Sequence, residues 1–199
     1  MSKNLLLIFT RNPELGKVKT RLAKSLGDEK ALAIYKMLLE KTKSETSKLD
    51  CTKRVYYTEN VQSDDIWPND LFEKRLQEGK DLGHRMQNAF QNGFDEGFEN
   101  VIVIGSDLFD ISSEIIQNAF EQLQNNDVVI GPAHDGGYYL LGMKELDPAV
   151  FENKNWGTST VFEDTMKDLG NKKVFLTQQL NDIDVIEDMQ LHPSLKHFL

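Results

Sequence analysis

Five basic residues lie close together near the start of a chain whose formal net charge is −9: Arg11, Lys17, Lys19, Arg21 and Lys24. Arginine can hold two phosphate oxygens at once, and the N–H groups at a helix start attract anions. The segment therefore predicts a diphosphate site formed by Thr10, Arg11, Gly16, Lys17, Lys19 and Arg21. A solvated basic loop is the alternative, and composition alone favours neither.

Two common phosphate-binding motifs are missing from this segment. It lacks the first glycine of G-x-x-x-x-G-K-[ST], and Lys17 is followed by Val18 rather than by Ser or Thr. The pattern G-x-G-x-x-G is also absent. These differences argue against a P-loop ATPase and against a dinucleotide-dependent dehydrogenase.

Aspartates follow two apolar segments that have the character of buried strands. Asp107 comes after the run 101–104, and Asp182 and Asp184 come shortly after the run 174–176. Carboxylates at strand ends can hold a hard divalent cation that also binds phosphate oxygens. The alternative is that Asp107 caps a turn, that Asp110 or Ser112 caps the next helix, and that either late aspartate is an N-cap.

A second polar segment, His134 to Tyr138, contains two adjacent glycines. Gly136 and Gly137 permit a positive φ or a close backbone approach, and Asp135 could bind a sugar hydroxyl or act as a base. A tight Asp-Gly turn between two strands explains the glycines equally well. For His134 alone, a structural or surface role is the more common one.

The segment Trp156-Gly157-Thr158 is a candidate wall for an acceptor molecule. Taken alone, it is better explained by a helix start at which Thr158 or Ser159 is the N-cap.

Strand-like and helix-like patterns alternate along the chain. Apolar runs predict strands at 5–9, 55–58, 101–104, 128–130, 138–143 and 174–176, and apolar spacing of three or four predicts helices at 22–43, 82–98, 113–124, 159–169 and 185–191. The polar segment 61–71 is a predicted loop. This alternation indicates one α/β domain over residues 1–199, with a mostly parallel sheet, helices on both faces and ligands at the carboxyl ends of the strands.

Composition limits the class of protein. Of 199 residues, 39% are hydrophobic and 28% are charged, and no apolar run reaches the roughly 18 residues that a membrane span needs. The net negative charge argues against nucleic acid as the main partner. The single cysteine, Cys51, and an apolar run at 5–9 that is too short for a signal peptide lead us to expect a cytoplasmic protein.

Six short segments, in this order, resemble the glycosyltransferase-A superfamily: 13–22, 77–86, 105–107, 135–142, 156–158 and 182–184. The resemblance is greatest to its small bacterial members, which are related to the 2-phospholactate guanylyltransferases and the molybdenum-cofactor nucleotidyltransferases. It extends over nearly the whole chain.

The resemblance implies a three-layer nucleotide-diphospho-sugar transferase fold, Rossmann-like, with a mixed and mostly parallel sheet. It implies a nucleotide-sugar or nucleoside triphosphate in the cleft, Mg²⁺ or Mn²⁺ as the cofactor and a small-molecule acceptor. The implied roles are metal binding by Asp107 and Asp184, catalysis by Asp135, nucleotide binding by Asp81 and Arg85 in addition to the basic loop, and acceptor or sugar binding by Gly136, Gly137, Tyr138, Trp156, Gly157 and Thr158.

The chain departs from the family pattern in three places. Leu108-Phe109 replaces a pair that is usually Cys-Pro or similarly small, Val185-Ile186 replaces Thr-Pro, and His134 is unusual. Glycosyl transfer from a nucleotide-sugar is our first expectation for function. Nucleotidyl transfer to a phosphorylated acceptor and non-catalytic nucleotide binding are the alternatives, and no pattern indicates an oligomeric state.

Overall fold

Seven strands form one sheet in the computed structural model, which describes residues 3–198 apart from the side chains of Lys196 and His197. Met1, Ser2 and Leu199 of the predicted domain lie outside the described residues. The strands are β1 (Asn4–Thr10), β2 (Thr52–Tyr57), β3 (Glu73–Leu76), β4 (Asn100–Gly105), β5 (Val128–Pro132), β6 (Tyr138–Met143) and β7 (Val174–Leu176). Their order across the sheet is β3-β2-β1-β4-β6-β5-β7.

Parallel pairing dominates this sheet. The strand β1 lies parallel to both β2 and β4, β2 lies parallel to β3, and β5 lies parallel to β7. Only β6 runs against its neighbours, β4 and β5. The predicted mixed, mostly parallel sheet is confirmed, and the carboxyl ends of β1, β2, β3 and β4 meet at one edge.

Helices cover both faces of the sheet. They are α1 (Thr20–Leu26), α2 (Asp28–Thr46), α3 (Leu82–Asp95), α4 (Ser113–Leu123), α5 (Val161–Leu169) and α6 (Ile186–Gln190), with 3-10 turns at Pro148–Phe151 and Pro193–Phe198. Between residues 3 and 198, no helix is long and apolar enough to cross a bilayer.

Alternate residues of β1 point to opposite faces of the sheet, as the pleat requires. Leu6 and Ile8 pack with residues of α2 and α4, such as Tyr35 and Phe120. Leu5 and Leu7 pack on the other face with residues of α3 and α5, including Phe90. The two clusters give the predicted three-layer α/β architecture.

The predicted continuous helix at 22–43 is wrong. Gly27 interrupts it with a φ of 84°, a left-handed value that glycine adopts without the steric cost of a side chain, and α2 starts immediately afterwards. The break leaves α1 as a separate seven-residue helix, and the basic loop leads directly into it.

Two further elements differ from expectation. The strand β3 was not predicted, because Glu73–Leu76 is short and largely charged. The N-cap of α5 is Thr160 rather than Thr158 or Ser159, and its side chain makes no capping hydrogen bond.

Gly83 allows α3 to pack against the segment that carries Trp156. A Cβ at Gly83 would lie 2.4 Å from the Phe151 carbonyl oxygen and 2.7 Å from Trp156 Nε1. We expect Gly83→Ala to lower the free energy of unfolding by about 1–3 kcal/mol, as overpacking does, in urea denaturation. The control is Asn92→Ala on the exposed side of α3, expected within about 0.5 kcal/mol of the parent. Equal effects of the two substitutions would contradict the close approach.

Candidate functional site

A cleft of about 750 Å³ opens at the carboxyl ends of β1, β2 and β4. Its lining combines cationic, anionic and hydroxyl side chains, including Arg11, Lys17, Lys19, Arg21, Arg85, Ser106, Asp107 and Asp184. Ligands of open α/β sheets bind at this edge. The structure thus brings most of the predicted phosphate-binding residues together with both predicted metal ligands.

Lys19 lies in the interior of the cleft. Its side chain is only 4% exposed, and its Nζ lies 2.9 Å from Asp107 Oδ2 and 3.8 Å from Asp184 Oδ1. Burial opposes its positive charge, but Asp107 and, after it, Asp184 outweigh this effect, so the pKa of Lys19 is raised above its usual value. Lys19 therefore remains protonated and ion-paired.

Arg21 completes this network from the solvent side. Its Nη1 donates to Asp184 Oδ2 at 2.9 Å, while the side chain itself is 66% exposed. Lys19 and Arg21 together engage both carboxylate oxygens of Asp184, and Lys19 also engages one oxygen of Asp107.

A short backbone contact brings the two aspartate segments side by side. Leu108 and Asp182 form an antiparallel bridge, and the Ile183 N–H donates to the Asp107 carbonyl oxygen at 3.4 Å. Ile183 is fully buried in the extended segment, so its neighbours Asp182 and Asp184 point the other way, towards Asp107.

Asp182 is the carboxylate that differs most from its usual acidity. Burial, with further contributions from the nearby charges of Asp107 and Asp135, raises its pKa to about 6, although Lys19 acts in the opposite direction. The His134 N–H donates to the Leu180 carbonyl oxygen at 3.1 Å, which brings the turn that carries Asp135 beside the segment that leads to Asp182.

The carboxylates offer the hard oxygen donors that Mg²⁺ and Mn²⁺ prefer. Within residues 3–198, however, no three His, Cys, Asp or Glu side chains converge on one point as a metal cage does. Mg²⁺ in nucleotide sites is usually held by one or two carboxylates together with substrate phosphates. Asp107 and Asp184 fit that arrangement, in which the ligand completes the coordination.

Thr10 has a structural role in the cleft wall. It is only 3% exposed, and its hydroxyl hydrogen-bonds to Tyr35 Oη and accepts from Ser106 Oγ, both at 3.1 Å. Tyr35 Oη also accepts from the Arg11 N–H at 2.9 Å. The network connects the end of β1 to α2 and to the end of β4. The Thr10 hydroxyl, from which the sequence predicted a phosphate contact, is therefore already hydrogen-bonded within the protein.

The other predicted nucleotide residues occupy different positions. Arg11 is exposed in the cleft, Lys17 pairs with Glu14 at 2.7 Å, and Arg85 Nε donates to the Gly79 carbonyl at 3.2 Å. Gly16 has a φ of 75° in the turn before Lys17.

Asp81 is not among the residues that line the cleft. It is the N-cap of α3, and its Oδ1 accepts from the His84 N–H at 2.9 Å and contacts His84 Nδ1 at 2.8 Å. These hydrogen bonds lower the pKa of Asp81. Asp81 therefore caps the helix that carries Arg85.

The Asp135-Gly136-Gly137 segment is the turn between the antiparallel strands β5 and β6. The Gly137 N–H donates to Asp135 Oδ1 at 2.9 Å, and Gly136 has a φ of 87°. A Cβ at Gly136 would lie 2.2 Å from the Ser159 carbonyl oxygen. Turn geometry and close packing thus account for Gly136, while Asp135 remains exposed. His134 is also exposed, as expected.

The predicted acceptor wall is held by aromatic packing. The rings of Tyr138 and Trp156 meet edge to face with centroids 6.4 Å apart, and the Tyr138 hydroxyl is buried. Gly157 is exposed with a φ of 82°, and Thr158 Oγ1 donates to the Asn155 carbonyl at 2.8 Å. Trp156, Gly157 and Thr158 lie outside the lining of the large cleft.

Leu108 and Phe109, which differ from the family pattern, both pack among apolar side chains. Leu108 is 1% exposed within the core of one sheet face. Phe109 packs beside the His192 ring, with centroids 4.8 Å apart. These larger side chains therefore add to the core.

Several cleft residues were missed in the sequence: Tyr35, Thr58, Glu59, Gln77 and Ser106. Gln77 and Ser106 lie inside the family segments 77–86 and 105–107, which offered a signal for them. Tyr35 falls among the apolar positions of a helix, where a core role was the natural inference. Nothing in the sequence connected it with the basic loop.

The Tyr35 hydroxyl gives a test of how the cleft wall is held. Tyr35→Phe leaves the Arg11 N–H without its partner, so we expect the free energy of unfolding to fall by about 1–3 kcal/mol. Tyr138→Phe is the matched control, because the buried Tyr138 hydroxyl faces the Thr165 hydroxyl without a hydrogen bond of normal length to it or to any other described atom. Its removal should be neutral or stabilising in the same urea titration, and the reverse order would contradict this assignment.

The raised pKa of Asp182 predicts a pH effect on stability. Between the usual aspartate pKa near 4 and the folded value of about 6, the folded state holds a proton that the unfolded state has lost. This contribution to stability is present below pH 4 and is lost as the pH rises through 6. In EDTA, Asp182→Asn should therefore stabilise the protein at pH 8 and progressively less towards pH 4. A stabilisation that is independent of pH would contradict the shift.

Comparison with known proteins places this architecture in a family. Residues 42–158 match the family DUF2064, described as an uncharacterized protein conserved in bacteria. No curated protein sequence is a significant match. A protein described as a putative nucleotide-diphospho-sugar transferase, from Desulfovibrio desulfuricans G20, is similar over 98% of this chain and 89% of its own, with 33% identity and a TM-score of 0.91.

More distant solved structures share the fold. The 4-diphosphocytidyl-2C-methyl-D-erythritol synthase of Anaerococcus prevotii DSM 20548 has a TM-score of 0.60 and 12% identity, over 96% of this chain and 94% of its own. A CMP:2-keto-3-deoxy-manno-octonic acid synthetase, solved with CTP, has a TM-score of 0.55 and 8% identity, over 98% and 99%. The chain thus has the nucleotide-diphospho-sugar transferase fold and belongs to the DUF2064 family.

Proposed function

We propose that this protein is a transferase that binds a nucleotide-sugar in the large cleft and transfers the sugar to a small-molecule acceptor. The observation that carries the proposal is the joining of Lys19 and Arg21 to Asp107 and Asp184 at the carboxyl ends of parallel strands. Without the two aspartates, the basic loop would be compatible with any anionic ligand. The 33% identical relative, by its description, supports the same class of reaction.

The cations of the cleft suit a departing diphosphate. Charge builds up on its bridging oxygen as the bond to the sugar breaks, and positioned cations stabilise that charge most strongly where water is excluded. Lys19 is buried enough to act in this way, while Arg11 and Arg21 are exposed and fit the outer phosphate oxygens. A bound Mg²⁺ or Mn²⁺ would supply further neutralisation of the diphosphate.

Transfer of the sugar to an acceptor hydroxyl requires one proton transfer. An acceptor hydroxyl oxygen forms the new bond to the anomeric carbon, the sugar–phosphate bond breaks, and the nucleoside diphosphate leaves with the bonding electrons. The hydroxyl proton goes to a carboxylate, for which Asp135 is our candidate, because it is exposed and its turn is hydrogen-bonded to the segment that leads to Asp182. The surrounding turn, with Trp156 beyond it, is the candidate acceptor side.

Nucleotidyl transfer is the second candidate, and the charge of the cleft favours it. Five cationic side chains line the cleft: Arg11, Lys17, Lys19, Arg21 and Arg85. A nucleoside triphosphate carries more negative charge than the diphosphate of a nucleotide-sugar and makes fuller use of them. In this reaction an acceptor phosphate attacks the α-phosphate and pyrophosphate leaves.

Ligand-dependent thermal unfolding separates the candidates. We expect a nucleotide-sugar with Mn²⁺ to raise the melting temperature, since a ligand at about 100 times its Kd adds roughly 2.7 kcal/mol. A shift with triphosphates alone, together with pyrophosphate release, would replace glycosyl transfer by nucleotidyl transfer. Absence of any shift with nucleotide-sugars or nucleoside triphosphates would refute both.

Asp107→Asn and Asp110→Asn form a matched pair for this assay. Asp107 is ion-paired in the cleft, whereas Asp110 lies three residues later, outside the cleft lining, with His192 Nδ1 at 3.7 Å from its Oδ1. Asp107→Asn should abolish the metal-dependent part of the shift and turnover, and Asp110→Asn should retain both. Bound nucleotide without turnover of any tested donor would favour the non-catalytic alternative.

A further inference from the structure

The two candidate metal ligands already have cationic partners within the protein. Of the four carboxylate oxygens of Asp107 and Asp184, three lie within 4 Å of a lysine or arginine nitrogen. The two negative charges are thus balanced by the two positive charges of Lys19 and Arg21. A divalent cation entering this network would meet two resident cations at short range.

The distances make this competition direct. A Mg²⁺ ion lies about 2.1 Å from a carboxylate oxygen, and Mn²⁺ has similar requirements. Lys19 Nζ lies 2.9 Å from Asp107 Oδ2, so an ion on that oxygen would be within roughly 5 Å of the ammonium group. Repulsion between these charges is strong in a partly buried site, where little water screens it.

Lys19 has little contact with solvent and an unusual backbone conformation. Its backbone is left-handed, with φ 47° and ψ 44°, a conformation that costs a non-glycine residue about 1–2 kcal/mol. Its side chain is 4% exposed. If Lys19 left Asp107 but stayed in the cleft interior, its ammonium group would be a buried charge without a partner. That state is strongly unfavourable unless another anion receives the ammonium group.

We propose that Lys19 and Arg21 exclude a divalent cation from Asp107 and Asp184 until phosphate groups in the cleft draw the two cations away. This inference rests on the proposed function, because the phosphates belong to the nucleotide. The nucleotide brings enough negative charge to receive Lys19 and Arg21 and to share the metal ion. Metal and nucleotide then bind as one unit, and the metal alone binds weakly.

Mn²⁺ binding to the full chain, measured by loss of the free-ion electron paramagnetic resonance signal, tests the exclusion without nucleotide. We expect weak binding by the parent and binding at least about tenfold tighter by Lys19→Met, since one repelling charge is gone. The control Lys24→Met removes an exposed lysine of α1 and should behave as the parent. Equal Mn²⁺ affinity in the parent and Lys19→Met would overturn the proposal.

Inorganic pyrophosphate, titrated in EDTA by calorimetry, tests where Lys19 goes. Lys19→Met should bind pyrophosphate at least about tenfold more weakly than the parent, the opposite of its effect on Mn²⁺. A loss of both affinities would overturn the exclusion and indicate a structural role. If no variant binds pyrophosphate but Lys19→Met still gains Mn²⁺ affinity, the exclusion stands and the proposed nucleotide site fails.

Arg21→Met keeps the proposal testable if Lys19→Met does not fold. The Arg21 side chain is 66% exposed, so its replacement should leave the fold intact by circular dichroism. Arg21→Met should bind Mn²⁺ more tightly than the parent, as Lys19→Met does. Lys19→Arg retains the charge, so its Mn²⁺ affinity should be as weak as that of the parent. Unchanged Mn²⁺ affinity in Arg21→Met would overturn the proposed exclusion by the two cations.

Discussion

The parallel pairing of β1 with β2 on one side and β4 on the other is the constraint on which the site depends. The register sets Thr10 opposite Tyr57 and Phe9 opposite Gly105. The chain therefore leaves all three strands at the same edge. The basic loop after β1 and the aspartate after β4 meet there because the carboxyl ends of neighbouring parallel strands lie at the same edge of a sheet.

Charge balance is the second feature that organises the cleft. The chain carries a net charge of −9, yet five cationic side chains line the cleft in which Asp107 and Asp184 lie. A buried ammonium group without a partner would be strongly destabilising. The two aspartates thus stabilise a charged lysine inside the cleft before any ligand binds.

Much of this architecture was predictable from the sequence, because buried parallel strands are continuous apolar runs and their helices have regular spacing. The strand β3 escaped detection since its residues, Glu73–Leu76, form a short and polar edge strand. Helix 22–43 was predicted as continuous because the apolar spacing continues across Gly27, whose positive φ is not visible in the sequence.

The site was predictable in composition but not in its contacts. Lys19 and Asp107 are 88 positions apart, and only the fold makes them neighbours. The sequence allowed two explanations for Gly136, a ligand approach and a turn. The structure shows the turn and adds a second reason for a glycine there, the close approach of the Ser159 backbone from a later segment. Tyr35 was missed because a tyrosine at an apolar helix position does not reveal where its hydroxyl points.

The short helix α1 has a consequence for how the site can open. Seven residues are too few to form a stable helix alone, so α1 depends on packing. Leu22 packs with Ile34, Ile183, Met189 and Leu195 in a cluster distinct from those on the two sheet faces. This small cluster couples the basic loop to the last part of the chain. Local unfolding of a protein needs less free energy than global unfolding. Loss of packing in this cluster alone would therefore separate Lys19 and Arg21 from Asp184, without any change in the strands of the sheet.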